Sequence, residues 1–161
     1  MPELLAWLEG SAFGQFVRGS GVWVYSIINL AHVFGLSTLF GSVLVLDLRL
    51  LGFWKHISIA AIARPTVPLA ATGFAAAAVS GFCMLAVNGS EYAGNPFLYV
   101  KFPAIAFGIV NVAVLQFLPA WKARATRELT PRERGQLALA GAISLLCWMT
   151  AITAGRMIAY W

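Results

Sequence analysis

Four apolar runs, each long enough to cross a bilayer as a helix, leave this chain few folds to adopt. A hydrocarbon core about 30 Å thick needs roughly 20 apolar residues per helical crossing, and four such crossings occupy about half the chain. The first run extends from Val22 to Leu46, about 37 Å as a helix, which suffices to cross with tilt. The second runs from about Val67 to Val87, because Pro65 and Pro68 fit a helix start better than a helix interior. Asn88, Gly89, Gly94, Asn95 and Pro96 then mark a tight exposed loop. A third run covers Phe97 to Leu118 and stops at Pro119. Thr130-Pro131-Arg132-Glu133 reads as an N-cap, a proline at the first helical position and a glutamate three after the cap, opening a fourth run from Arg132 to Ile158.

Only 11% of the 161 residues are charged, against about 25% in a soluble domain, which excludes a soluble monomer. The fold expected is a single all-α unit over residues 1–161, an integral membrane four-helix bundle. Residues 3–17 are too short and too interrupted to span, and Leu4, Leu5, Trp7, Leu8, Phe13 and Phe16 suit an interfacial helix instead. The Met-Pro-Glu opening has no basic stretch and no small-residue cleavage site after a short apolar core, so no removable signal peptide is expected.

The net charge of +5 does not point to nucleic acid, because the cations sit in short loops rather than on an aromatic-studded patch. They report topology. Arg49, Lys55 and Arg64 lie between runs one and two, and Lys122, Arg124, Arg127, Arg132 and Arg134 between runs three and four. Positive residues are retained on the cytoplasmic face, so both termini are expected outside, in the periplasm of a bacterial inner membrane. The remaining three, Arg18, Lys101 and Arg156, fall near the outer ends of the runs.

His32 is the one histidine inside a run, about 15 Å from Val22 along a helix. An ionisable group at that depth is costly and defaults to a functional role. Tyr25, Asn29, His32, Leu36 and Leu39 share a helical face, which directs the polar members into the bundle. A neutral histidine hydrogen-bonded across helices is the plainer reading. His56 belongs to the loop after the first run and cannot share a metal with His32 in one chain. Met84, Cys83 and Met157 have the depth to be partner ligands, although packing is the plainer reading of each. Lys101 and Arg156 are two cations at similar depth above His32, suited to snorkelling or to the two propionates of a haem. Quinone head groups or anionic lipids would accept the same pair. Gly73, Ala77 and Gly81 recur every four residues in run two, and Gly35 lies in run one, so small-residue faces allow helix backbones to approach closely. Asp47 and Arg49 read as an interfacial ion pair. The two cysteines, Cys83 and Cys147, match neither a zinc spacing nor a disulfide framework. No phosphate loop, nucleophile elbow or HExxH supports a hydrolase or a nucleotide-driven function.

Three segments carry a resemblance: Asn29-Leu-Ala-His32-Val-Phe-Gly35 leading to Leu46-Asp47-Leu-Arg49-Leu-Leu-Gly52; Asn95-Pro96-Phe-Leu-Tyr-Val-Lys101; and Trp148 with Gly155-Arg156-Met-Ile-Ala-Tyr160. Together they resemble a family of small bacterial four-helix membrane proteins catalogued as a domain of unknown function. More distantly, the chain is similar to the HemJ type of protoporphyrinogen oxidase, a four-helix haem b membrane protein. That likeness implies His32 as axial histidine and Lys101 as the functional lysine, with Leu-Asp-Leu-Arg49 standing where that family has Leu-Pro-Arg-Leu. The CopD-type copper-resistance domain has a similar histidine-then-glycine first span, which implies copper. Three functions are therefore expected: a haem b-binding redox or electron-transfer protein using His32, Lys101 and Arg156 with Tyr25 and Asn29 nearby; a non-enzymatic bundle associating with itself or a membrane complex; or copper handling through His32 and Met84 or Cys83.

Overall fold

The computed structural model describes residues 2–161. Two short helices, α1 (Pro2–Gly10) and α2 (Ala12–Gly19), precede three long ones, α3 (Val22–Leu50), α4 (Ile59–Tyr92) and α5 (Pro96–Phe117). A five-residue helix, α6 (Pro119–Ala123), leads to the fourth long helix, α7 (Pro131–Met157), which ends in a 3-10 turn over Ile158–Tyr160. Four helices are long and apolar enough to cross a membrane. In hydrocarbon a helix satisfies its own backbone groups, so these segments need no partner strand. Both ends of the chain lie at one end of the bundle, the terminal end, while the turn after α3 and the segment around α6 lie at the other, the basic end.

The helices pack in the order α4, α3, α7, α5. α3 lies along α4 because Gly35 and Gly73 bring the two backbones into contact. α5 and α7 form the second close pair, with Gly108 of α5 accepting the Trp148 indole of α7. α4 and α5 are joined by only three residues at the terminal end and yet barely touch along their lengths. The bundle is thus open on that side. At the basic end Leu46, Leu50, Ile59, Leu115, Trp121 and Leu137 form the largest buried cluster.

Local chemistry sets the helix ends. Thr130 accepts from the Glu133 amide at 3.3 Å while Glu133 accepts from the Thr130 amide at 2.9 Å, the capping box read from the sequence. Asn95 caps α5 by accepting from the Phe97 amide and donates to the Ile158 carbonyl, tying α5 to the end of α7.

Four expectations are corrected. α4 begins at Ile59, two turns before Val67, because Ser58 caps it by accepting from the Ala61 amide. Pro65 and Pro68 therefore sit inside the helix, and the carbonyls they free, of Ala61 and Arg64, belong to exposed residues at the basic end, where water can take them. At its other end α4 continues through a kink at Asn88 to Tyr92, so the expected exposed loop is mostly helix, with Gly89 and Asn95 buried. The expected single N-terminal helix is two, divided at Ser11, whose hydroxyl donates to Leu8 of α1 and accepts from the Gly14 amide of α2. Asp47 and Arg49 do not pair: residues two apart on a helix point away from each other, and Arg49 donates to the Ile57 carbonyl instead.

α1 and α2 repair the kink. The backbone of α4 departs from helical geometry at Asn88, and side chains from α1 and α2 reach the Val87 carbonyl and the Ser90 amide on either side of it. Glu9 accepts from the Ser90 amide at 2.7 Å, Arg18 donates to the Val87 carbonyl, and the two side chains pair with each other. Gly14 and Gly89 permit the approach, since a Cβ on Gly14 would stand 2.7 Å from the Ala86 carbonyl and one on Gly89 2.9 Å from that of Leu5. Leu5, Leu8 and Val17 are buried here, while Trp7 and Phe16 stay 72% and 73% exposed, facing where lipid would be.

Candidate functional site

α3 turns one stripe toward α4: Tyr25, Ile28, His32, Gly35 and Leu39 are its less exposed positions, spaced three and four apart. The imidazole of His32 reaches α4 where Gly81 has no side chain. A Cβ there would meet His32 Cε1 at 3.0 Å and Nδ1 at 3.4 Å. Nδ1 lies 2.9 Å from the Ala77 carbonyl oxygen and 3.1 Å from Ser80 Oγ. A carbonyl only accepts, so Nδ1 carries the proton and donates. Ser80 donates its own hydrogen to the Ala76 carbonyl at 2.5 Å, which leaves its oxygen free to accept from the ring. This chain of bonds fixes one tautomer: the unprotonated nitrogen is Nε2, and no protein group is bonded to it among the described residues.

Lys101 sits in the second turn of α5 and crosses to α7, where a Cβ on Gly155 would stand 3.3 Å from Nζ. Its ammonium is half-buried, has no ion-pair partner among the described residues, and lies within electrostatic range of His32. Of the ionisable residues singled out in the sequence, Lys101 is the one whose charge acts on the imidazole. Arg156 is exposed and folds back on its own helix, donating to the Tyr160 hydroxyl at 2.5 Å with its guanidinium 4.8 Å above that ring. Tyr25 lies beside Tyr92 of α4. Asn29 is exposed, because it follows Ile28 by about 100° around the helix and so leaves the α4-facing stripe. Met84 and Cys83 are half-buried on α4, one turn beyond Ser80, and Met157 is exposed. His56 lies in the turn between α3 and α4 at the basic end, far from His32 along α3.

Among the described residues no three His, Cys, Asp or Glu side chains come together as a metal-holding group. Any ion or cofactor here would therefore depend on His32 with donors of another kind. The sequence had marked His32, Lys101 and the small residues. It had not marked Ser80 or the Ala77 carbonyl, whose role depends on the register of α4 against α3.

Helices, polarity and packing together define an all-α membrane bundle with one histidine oriented by its neighbour helix. No known protein family, curated protein or solved structure matches the chain.

Proposed function

We propose that this protein is a haem b-binding redox or electron-transfer protein of the membrane, with His32 Nε2 as axial ligand. One observation carries the reading: the 2.9 Å bond from Nδ1–H to the Ala77 carbonyl. A metal-ligating histidine characteristically donates its second nitrogen to a backbone carbonyl or carboxylate, which fixes the ring and raises the basicity of the ligating nitrogen. A haem held there would supply one-electron chemistry, with its potential set by axial ligand and surroundings.

The chain's own residues do the rest. Ser80 and Gly81 position the ring, the first by a hydrogen bond and the second by leaving space. Lys101 offers an unpaired cation for a carboxylate such as a propionate. Arg156 can serve the second only by leaving Tyr160. A haem held by His32 would have no second histidine of the same chain to hold it, since His56 lies at the basic end, and would look to Met84 or to another subunit. Gly35, Gly73 and Gly81 are consumed inside the chain, so association with a partner would have to use a different surface.

The test is an absorption spectrum of the detergent-purified protein expressed with ample haem. A Soret band that disappears in His32→Ala supports the reading, and a colourless wild-type protein overturns it.

A further inference from the structure

Two helical turns past His32, about 10 Å along α3, the open side between α4 and α5 leads into a cavity of about 270 Å³ lined by all four long helices. Its wall is almost entirely apolar, yet it holds a carboxyl group. Asp47 is only 4% exposed, and its Oδ2 has no hydrogen-bond partner among the described residues although Ser144 stands beside the carboxyl. Trp148 is 5% exposed, borders the same cavity, and its Nε1–H is likewise without a partner among them. The other amides on the wall are engaged: Asn111 donates to the Ala140 carbonyl, and Gln116 accepts from Trp121.

Buried polar groups are bonded in all but a few cases, so two orphans on one cavity call for an occupant. Its chemistry follows from theirs. The indole can only donate and requires an acceptor, whereas the carboxyl oxygen is met by a donor. Ser144, which stands beside Asp47, and Trp148 are four residues apart on α7, ~6 Å of backbone rise, so the two groups face the cavity from neighbouring turns. Phe74 packs edge to face against Trp148, centroids 6.0 Å apart, and the two offer aromatic walls. A cavity of roughly 150 Å³ already takes benzene, so this one has room for a substituted ring. The gap between α4 and α5 admits an apolar tail from the lipid side.

We infer that this cavity binds an aromatic diol of the hydroquinone class, one hydroxyl donating to Asp47 and the opposite ring oxygen accepting from the Trp148 indole. The site is separate from His32, and the inference does not rest on the haem reading. A lipophilic cation would satisfy Asp47 but leave the indole orphaned, and an acyl chain would satisfy neither.

The test is calorimetric titration of the detergent-solubilised full chain with decylhydroquinone kept reduced under argon, against decylbenzene as a ligand of the same shape without oxygens. Saturable binding of the hydroquinone alone is expected. Trp148→Phe and Asp47→Asn should each weaken it by about tenfold, the scale of one buried hydrogen bond, and His32→Ala should not change it. Equal binding of decylbenzene, unchanged affinity in Trp148→Phe, or displacement by tetraphenylphosphonium that requires Asp47 would overturn the proposal. If Asp47→Asn fails to fold, Trp148→Phe and the decylbenzene comparison still decide.

Discussion

Gly35 and Gly73 meet backbone to backbone across the α3–α4 interface: a Cβ on Gly73 would stand 2.8 Å from the Gly35 carbonyl oxygen and 2.5 Å from the Leu39 nitrogen. Neither atom can move without moving a helix. Gly73→Ala should therefore separate α3 from α4 and destabilise the bundle by about 1–3 kcal/mol, the usual cost of overpacking. Gly41, on the same helix as Gly35, has nothing within 4 Å of its Cβ position. Gly41→Ala should be neutral or raise stability by up to ~1 kcal/mol through helix propensity. Unfolding in mixed micelles followed by circular dichroism measures both, and equal effects of the two substitutions would refute the packing assignment.

The same interface makes a prediction about the haem proposed for His32. A Cβ at Gly81 would press on His32 Cε1 at 3.0 Å, so the ring must tilt by a few tenths of an ångström and stretch its bond to Ala77. Gly81→Ala should weaken haem retention while leaving helicity intact, and Gly81→Val should abolish it. Ser80→Ala removes one of the two acceptors of Nδ1–H and should cost less than either, because the Ala77 carbonyl remains. Haem-to-protein ratios of the purified variants give the order directly; a Gly81→Val protein that keeps full haem occupancy would mean that His32 is not the ligand.

Acid should detach the N-terminal helices. Hydrogen bonds from Ser90 and the neighbouring Arg18 lower the Glu9 carboxyl from its ordinary value of 4.5 to about 2. A carboxyl with a depressed folded value contributes stability that is complete above 4.5 and is lost as pH falls through the interval down to about 2. The Ser90 amide should accordingly lose protection from hydrogen exchange across that interval. Glu9→Gln, which cannot form the ion pair, should show weaker protection at neutral pH and no such step. A wild-type protein with constant Ser90 protection down to pH 2 would contradict this account of the kink.

Sequence patterns exposed what depends on a chain's own neighbours and concealed what depends on register. The Thr130–Glu133 box was legible because capping residues act within one turn, and the third apolar run, read from Phe97, begins one residue into α5. The start of α4 was misjudged because two prolines outweighed one serine as a signal, although prolines near a water-exposed helix end cost little. His32 stood out because a histidine among apolar residues is conspicuous. Ser80 did not, because its value lies in facing His32 from another helix. Asp47 was paired with Arg49 by adjacency. The buried stripe Leu39, Val43, Leu46, Asp47, Leu50 would have placed it inward, since those spacings trace one helical face. The cavity itself was invisible, as it arises from two helices, α4 and α5, that are consecutive in sequence and yet diverge.

Charge and geometry together predict how the protein sits in the bilayer. Eight of its eleven Lys and Arg residues lie in or next to the two connections at the basic end, and both termini lie at the other end. Retention of cations on the cytoplasmic side would leave Glu91 outside and Thr126 inside. In a Cys83→Ser, Cys147→Ser background, a membrane-impermeant maleimide added to intact bacterial spheroplasts should label Glu91→Cys and spare Thr126→Cys, both positions being exposed. Lysis should make the second reactive. Labelling of Thr126→Cys alone in intact cells would invert the topology and turn Lys101 and His32 toward the cytoplasm. Any electron donor or acceptor would then have to be sought on that side.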